Sequence, residues 1–397
     1  MKKNRSFVFL LGSFLIFLAV SCNNNQESAE PEKYPAIIRM FGGNINLNQL
    51  LNYANQGKPT YITKDNTGNN IITNAKATLG RVLFYDKQLS VNNTIACANC
   101  HKQAFAFSDD AQVSTGVNGT TDRHSMRLVN ARFGEEMKFF WDERAATLEA
   151  QTTQPIQNHA EMGFSGQNGN PGIQDLINKL KQLDYYKELF KFVYNDENIT
   201  ESRLQESLSQ FIRSIQSFDS KYDVGRTQVN ADNQNFPNFT NDENAGKNLF
   251  LAPPQFNANG VRTAGGAGCG GCHRAPEFDI VGNSLNNGIV RKLTGTGDEL
   301  NITRTPTLRN IFRNNGNNLN GLLMHTGDLT IEQVINHYNQ ISISPTNTNL
   351  DPKLRPNGNL QNLALTQTEK DQILAFLKTL TGTAVYTDTR WSNPFLP

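Results

Sequence analysis

Two stretches govern what this chain can fold into: Cys97-Ala98-Asn99-Cys100-His101 and Cys269-Gly270-Gly271-Cys272-His273. Two Cys separated by two residues and followed directly by His form the attachment signature of a c-type haem. Each thiol can form a thioether with one haem vinyl group, and the adjacent His is left facing the iron as its proximal ligand. A redox or zinc-type C-x-x-C pair needs no His after its second Cys, and four of the five Cys lie in these two motifs. The sequence therefore predicts two covalently attached haems. Cys97 and Cys100 hold one with His101 on the iron, and Cys269 and Cys272 hold the other with His273. Only 37% of the 397 residues are hydrophobic. That fits loop-rich domains packed around haem as well as side chains.

Net charge is +1, so nothing points to nucleic acid as a partner. Residues 1–21 read as an export signal, with Lys2, Lys3 and Arg5 ahead of an apolar run from Phe7 to Val20. That run falls short of the roughly 20 residues a membrane span needs. Ala19-Val20-Ser21-Cys22 resembles a bacterial lipoprotein box. Four Cys are committed to haem, and Cys22 would be a free thiol in an oxidising compartment unless it carries lipid. The expected location is the periplasmic side of the cell envelope, anchored through lipid on Cys22, with residues 22–60 as tether and N-terminal extension.

A degenerate repeat runs through the rest. Leu79, Val82, Leu83 and Phe84 suggest a helix face ahead of Cys97, and Thr240 to Glu243 a capping box opening a helix ahead of Cys269. Phe107 and Asp109 follow the first motif, Phe278 and Asp279 the second. Arg123 to Asn130 parallels Arg304 to Asn310, and Thr147-Leu148-Glu149 parallels Thr330-Ile331-Glu332 at a helix start. Between the copies, Pro171 as a first-turn residue opens a stripe of Ile173, Leu176, Ile177, Leu180 and Leu183. A second stripe, Leu204, Leu208, Phe211, Ile212 and Ile215, follows Thr200. A last helix opens at Thr366-x-x-Glu369 and stops at Gly382. The predicted fold is mainly α and loop-rich: two cytochrome c-like haem domains related by internal repeat, over 61–218 and 240–397, joined by a linker over 219–239.

The order and spacing of these segments resemble the bacterial dihaem cytochrome c peroxidase family, including its MauG-like branch. The resemblance covers Ala75 to Gly382. It rests on both haem motifs, Phe140-Trp141-Asp142-Glu143-Arg144-Ala145, Glu161-Met162 twenty residues after Trp141, Arg304 to Asn310, and Met324-His325-Thr326-Gly327. It implies that hydrogen peroxide reacts at an open N-terminal haem, with Glu161 as distal acid/base and Trp141 as the bridge between haems. Burial in a haem pocket would raise the Glu161 pKa toward the range where it can both take and give a proton. Many members carry a second His on the loop after the first motif, which blocks the iron until reduction. Here that loop reads Ser114-Thr115-Gly116-Val117-Asn118-Gly119, with Val117 at the position, so the first iron is expected to be open from the start.

For the second haem the resemblance implies a Met or a Tyr ligand where Tyr338 falls, eight residues after Thr330. Met324 and His337 are the competitors. A thioether favours ferrous iron and suits a port for electrons, whereas a phenolate stabilises ferric and higher states. Family members often hold calcium between the haems. The matching position here is His124, a poor ligand for an oxygen-seeking cation, which puts calcium in doubt. Three functions remain: a peroxidase fed through the C-terminal haem by a periplasmic c-type cytochrome or copper protein, a MauG-like oxidation of a partner protein through two high-valent haems, or a non-catalytic electron-transfer cytochrome.

Overall fold

The structure is a computed structural model that describes residue 1 and residues 33–396, leaving out 136, 137, 281, 315 and 317. The expected export signal and Cys22 lie outside the described residues. Helix α1 (Pro35–Phe41) is followed by α2 (Asn74–Tyr85), a single turn α3 on the first motif (Cys97–Cys100), α4 (Leu148–Thr152), α5 (Gln154–Gln157), α6 (Ile173–Leu180), α7 (Asp184–Tyr194) and α8 (Glu201–Ser214). The second half carries α9 (Lys221–Arg226), α10 (Asn241–Leu251), α11 (Ile331–Asn339) and α12 (Gln367–Lys378). Two short antiparallel ribbons complete it: β1 (Pro254–Phe256) with β2 (Arg262–Gly265), and β3 (His273–Arg274) with β4 (Asp279–Ile280). Helix outweighs strand, as the sequence predicts. No helix among the described residues is long and apolar enough to cross a membrane.

Each half is organised by one close helix pair. Gly80 of α2 lies against α8, where an added Cβ would come within 1.9 Å of the Ser207 carbonyl oxygen. Gly246 of α10 lies against α12, where a Cβ would be 1.8 Å from the Gln372 carbonyl oxygen. Only glycine lets backbones approach so closely. Around the first pair the core gathers Leu79, Val82, Phe84, Leu208 and Phe211; around the second, Phe250, Phe278, Ile373, Phe376 and Leu377.

Caps fix where these helices begin. Thr200, Thr240, Thr330 and Thr366 each accept the N–H three residues on at 3.2–3.3 Å, which satisfies an N–H that has no partner within the helix. Three sequence expectations need correction. Pro171 precedes α6 rather than entering its first turn. Gly172 caps the helix, its N–H bonded to Asp175 at 2.8 Å, and the Pro171 carbonyl closes a loop with Gly166 N–H at 3.0 Å. Leu183 does not continue that stripe; it caps α7. Helix α12 ends at Lys378, where the Thr379 hydroxyl turns back onto the Phe376 carbonyl at 2.6 Å. Gly382 lies beyond it, wedged against Ser217 and Asp219, each 2.2 Å from where its Cβ would be.

The stretch expected as a linker is packed. Tyr222 and Phe236 sit in the second core, and Arg309, fully buried, grips Asp223 through both guanidinium nitrogens at 2.9 Å. Tyr61 donates to the same carboxylate at 2.8 Å. The C-terminal tail returns to the first core: Trp391 is buried there, its indole N–H 3.3 Å from Ser214 Oγ, and its carbonyl accepts from Tyr85 at 2.6 Å. Residues 36–53 also pack into that core, through Ile37, Phe41 and Tyr53.

Candidate functional site

Two cavities open beside the two Cys-x-x-Cys-His motifs, of about 410 Å³ beside the first and 590 Å³ beside the second. The loops after the motifs are built alike. Phe107 and Phe278 are fully buried and take left-handed backbone, φ 60° and 55°. Their carbonyls accept from Leu128 N–H at 3.3 Å and Leu308 N–H at 3.0 Å. Asn130 and Asn310 follow, both left-handed, and dock by their N–H groups on the Ile215 and Leu380 carbonyls beyond the last helix of each half. His101 and His273 are thereby seated at equivalent places. His101 Nδ1 donates to the Phe107 carbonyl at 3.1 Å, which leaves Nε2 free to face the first cavity, whose wall includes the His101 ring. His273 lines the second, and burial holds its pKa down near 4, so it is neutral and able to ligate a metal.

The two cavities share a wall. Trp141, His124, Ser125, Arg127, Arg304 and Pro306 line both. The Trp141 indole N–H donates to the His124 carbonyl at 2.8 Å, and its own carbonyl takes Thr303 N–H and Arg304 N–H, each at 3.0 Å. The residue expected to bridge the haems thus stands between the cavities, bonded to both halves. Arg123 reinforces the wall by pairing with Glu299 of the second half at 3.0 Å and with Asp142 at 3.0 Å.

Over the first cavity stands Glu161, with Pro155 beside it. Burial pushes its carboxyl up to about 7, with Arg144 pulling against that and Asp122 adding to it. Its place is set by the loop that carries Val117. Val117 N–H donates to the Glu161 carbonyl at 2.9 Å, and Asn118 N–H to the Ala160 carbonyl at 3.2 Å. Gly116 allows this contact, since a Cβ there would be 2.1 Å from the Ala160 oxygen. Val117 itself packs toward Gly163, so the loop supports Glu161 and brings no imidazole to the cavity. His159 is exposed. His124 is buried, its Nδ1 3.0 Å from the Ala111 carbonyl and 3.2 Å from that of Gln112.

The second cavity has a different occupant at the matching place. Tyr338 of α11 and Met324 both line it, whereas His337 turns away and its Nε2 bonds the Asn287 carbonyl at 2.8 Å. Asn287, which sequence reading did not single out, donates to the Tyr338 hydroxyl at 3.0 Å and lies 3.4 Å from the Met324 sulfur. Arg127 was also missed. It is half-buried with no carboxylate partner among the described residues; its Nη2 donates to the Asn320 carbonyl at 3.2 Å, its Nε has no hydrogen-bond partner, and its pKa is pulled down to about 10 by desolvation.

These features fit haem. Each cavity is of prosthetic-group size and is faced by a neutral His. All four motif thiols are free, and burial raises them, Cys97 and Cys269 to about 12. The Arg127 guanidinium in the shared wall, its Nε without a hydrogen-bond partner, suits an anionic propionate.

Paired cavities of this kind, each beside a Cys-x-x-Cys-His motif, suit a protein that holds two prosthetic groups. Residues 74–230 match the sequence model of the di-haem cytochrome c peroxidase family. The MauG protein of Methylophilus methylotrophus is 26% identical over 327 residues, 80% of this chain and 85% of its own. The cytochrome c551 peroxidase of Nitrosomonas europaea is 28% identical over 329 residues, 77% of this chain and 80% of its own. Among solved structures, a MauG-like protein associated with microbial copper homeostasis matches with a TM-score of 0.65 and 27% identity, over 86% of this chain and 99% of that one. The diheme peroxidase BthA of Burkholderia thailandensis shares the fold at a TM-score of 0.61 and 20% identity, over 85% of this chain and 94% of its own. Over residues 74–230 the chain thus carries the sequence pattern of the di-haem cytochrome c peroxidase family, it is similar over most of its length to proteins named MauG and cytochrome c peroxidase, and it is an oxidoreductase.

Proposed function

We propose that this protein is a c-type di-haem peroxidase that reduces hydrogen peroxide at the first cavity. Cys97 and Cys100 would bind one haem and Cys269 and Cys272 the other, with His101 and His273 as proximal ligands. Bound haem supplies the iron at which the peroxide O–O bond is reduced. The chain's own contribution is proton handling. Glu161 takes a proton from the oxygen of peroxide nearer the iron and returns it to the farther oxygen, which leaves as water. A carboxyl near pH 7 can do both. The observation that carries this reading is Glu161 itself, half-buried in the wall of the first cavity and held there by a loop that brings no blocking His.

Electrons would arrive through the second haem from a small periplasmic c-type cytochrome or copper protein, with Trp141 between the haems. A second reading is favoured by Tyr338: an anionic phenolate on the second haem would hold oxidising equivalents in place of passing electrons inward. That would suit a MauG-like oxidation of a partner protein. A protein lodged in the periplasm by lipid on Cys22 fits either. Steady-state oxidation of a reduced small cytochrome c by peroxide separates the two. Rapid turnover supports the peroxidase, and negligible turnover together with loss of both ferric haem signals on adding peroxide supports the second reading. A protein in which both haems are low-spin and peroxide changes neither would be an electron-transfer cytochrome, and this proposal would fail.

A further inference from the structure

One amide stands between two candidate caps for the second cavity. Asn287 Nδ2 donates to Tyr338 Oη at 3.0 Å and lies 3.4 Å from Met324 Sδ, and all three residues line the cavity that His273 faces. The amide is held in place. Its Oδ1 accepts Ile289 N–H at 3.0 Å, which fixes the N–H₂ end toward the cavity, and its backbone carbonyl engages His337 at 2.8 Å. Next to it, Asn286 donates to the Leu300 carbonyl and the Asn347 side chain, each at 3.0 Å, so the loop beneath is pinned as well. Met324 has a φ of 66°, left-handed backbone that a side chain of this kind adopts under strain, in a turn closed by Gly327 N–H at 3.1 Å.

We propose that Asn287 is a positioning residue that selects Tyr338 over Met324 as the cap opposite His273. The inference rests on the reading of Tyr338 as the second haem's ligand. The selection is chemical. A phenolate oxygen is an anionic acceptor and gains a charge-assisted hydrogen bond from an amide N–H. A thioether sulfur is a weak acceptor and gains little. The amide nitrogen, with its two N–H bonds directed at both side chains, therefore stabilises the oxygen far more than the sulfur. The ligand that sets the second haem's potential is then decided by a residue that never touches iron.

Asn287→Asp tests this with the side chain's shape retained. The oxygen that takes Ile289 N–H remains, but a carboxylate oxygen replaces the donor and faces the phenolate. In the oxidised holoprotein, electron paramagnetic resonance and near-infrared absorption should show the phenolate signature of the second haem replaced by that of a thioether. The ferrous-to-ferric ratio at fixed potential should rise at least tenfold, about 59 mV for one electron. Asn287→Leu, which removes the donor without adding charge, should give the same replacement, and adding Met324→Leu to either variant should abolish the thioether signature. Persistence of the phenolate signature in both variants overturns the proposal, as does a replacement signature that survives Met324→Leu. Haem content and the first haem's high-spin signal report whether each variant has folded. If the wild-type protein shows no phenolate signature, or Tyr338→Phe leaves it unchanged, the reading of Tyr338 fails and the inference with it. The Asn287 variants do not produce that result, so the two failures are told apart.

Discussion

The two halves share a frame and part company where the frame meets the cavity. Gly80 and Gly246 allow the same close helix pair, Phe107 and Phe278 the same left-handed turn, Asn130 and Asn310 the same docking onto the last helix. Around the first cavity, with His101, the chain places Pro155 and the half-buried Glu161 carboxyl. Around the second, with His273, it places a phenol and a thioether, either of which could cap an iron. On the proposed function one scaffold serves two chemistries, because Pro155 on α5 and Tyr338 on α11 differ while the α2–α8 and α10–α12 pairs are built alike.

Breaking one face should leave the other intact. The largest effect is expected from Glu161→Gln, which removes the proton carrier with little change in shape. The rate at which peroxide bleaches the first haem's high-spin signal should fall about 10²–10⁴-fold, while the low-spin spectrum of the second haem stays unchanged. Stopped-flow absorption beside paramagnetic resonance reads both. The shared frame should break in both halves alike: Gly80→Ala and Gly246→Ala each force a Cβ onto a facing carbonyl and should each cost about 1–3 kcal/mol, seen as a lower urea midpoint. A harmless substitution at either position would show that the helix pairs are not equivalent. Next comes Tyr338→Phe. It should replace the second haem's phenolate low-spin signature by that of a thioether from Met324 and raise its ferrous-to-ferric ratio at fixed potential at least tenfold, and the peroxide rate at the first haem should change less than threefold.

The smallest effect is on pH. Glu161 must be ionised to accept the first proton, and its carboxyl sits near 7. The peroxide rate should therefore be full above pH 8 and fall about tenfold by pH 6. The profile should be flat over that range in Glu161→Gln.

The haem motifs and the helix starts were legible because both are local chemistry. Cys and His at fixed spacing, or Thr three residues ahead of Glu or Gln, carry their meaning in a few residues. What escaped depended on partners far along the chain. Gly80 and Gly246 read as weak points within helices until the opposing helix is present. Helix α7 was missed because its aromatic residues, Tyr185, Tyr186 and Phe190, bury against α2 and α1 in place of forming a clean aliphatic stripe. Gly382 has a packing reason that looks like a helix stop in sequence. In the site, Glu161 and Tyr338 were named by the family resemblance, yet Asn287 is one amide among many. Its meaning comes from two side chains that reach it from 37 and 51 residues away. Arg127 likewise becomes informative only once the fold leaves its Nε without a partner.

If one haem is open and the other capped, the number of cyanides each chain binds shows it. Cyanide titrated into the oxidised holoprotein, followed by paramagnetic resonance, should bind once per chain, converting the high-spin signal and leaving the original low-spin signal in place. Two cyanides bound per chain with similar affinity, or none, would contradict it.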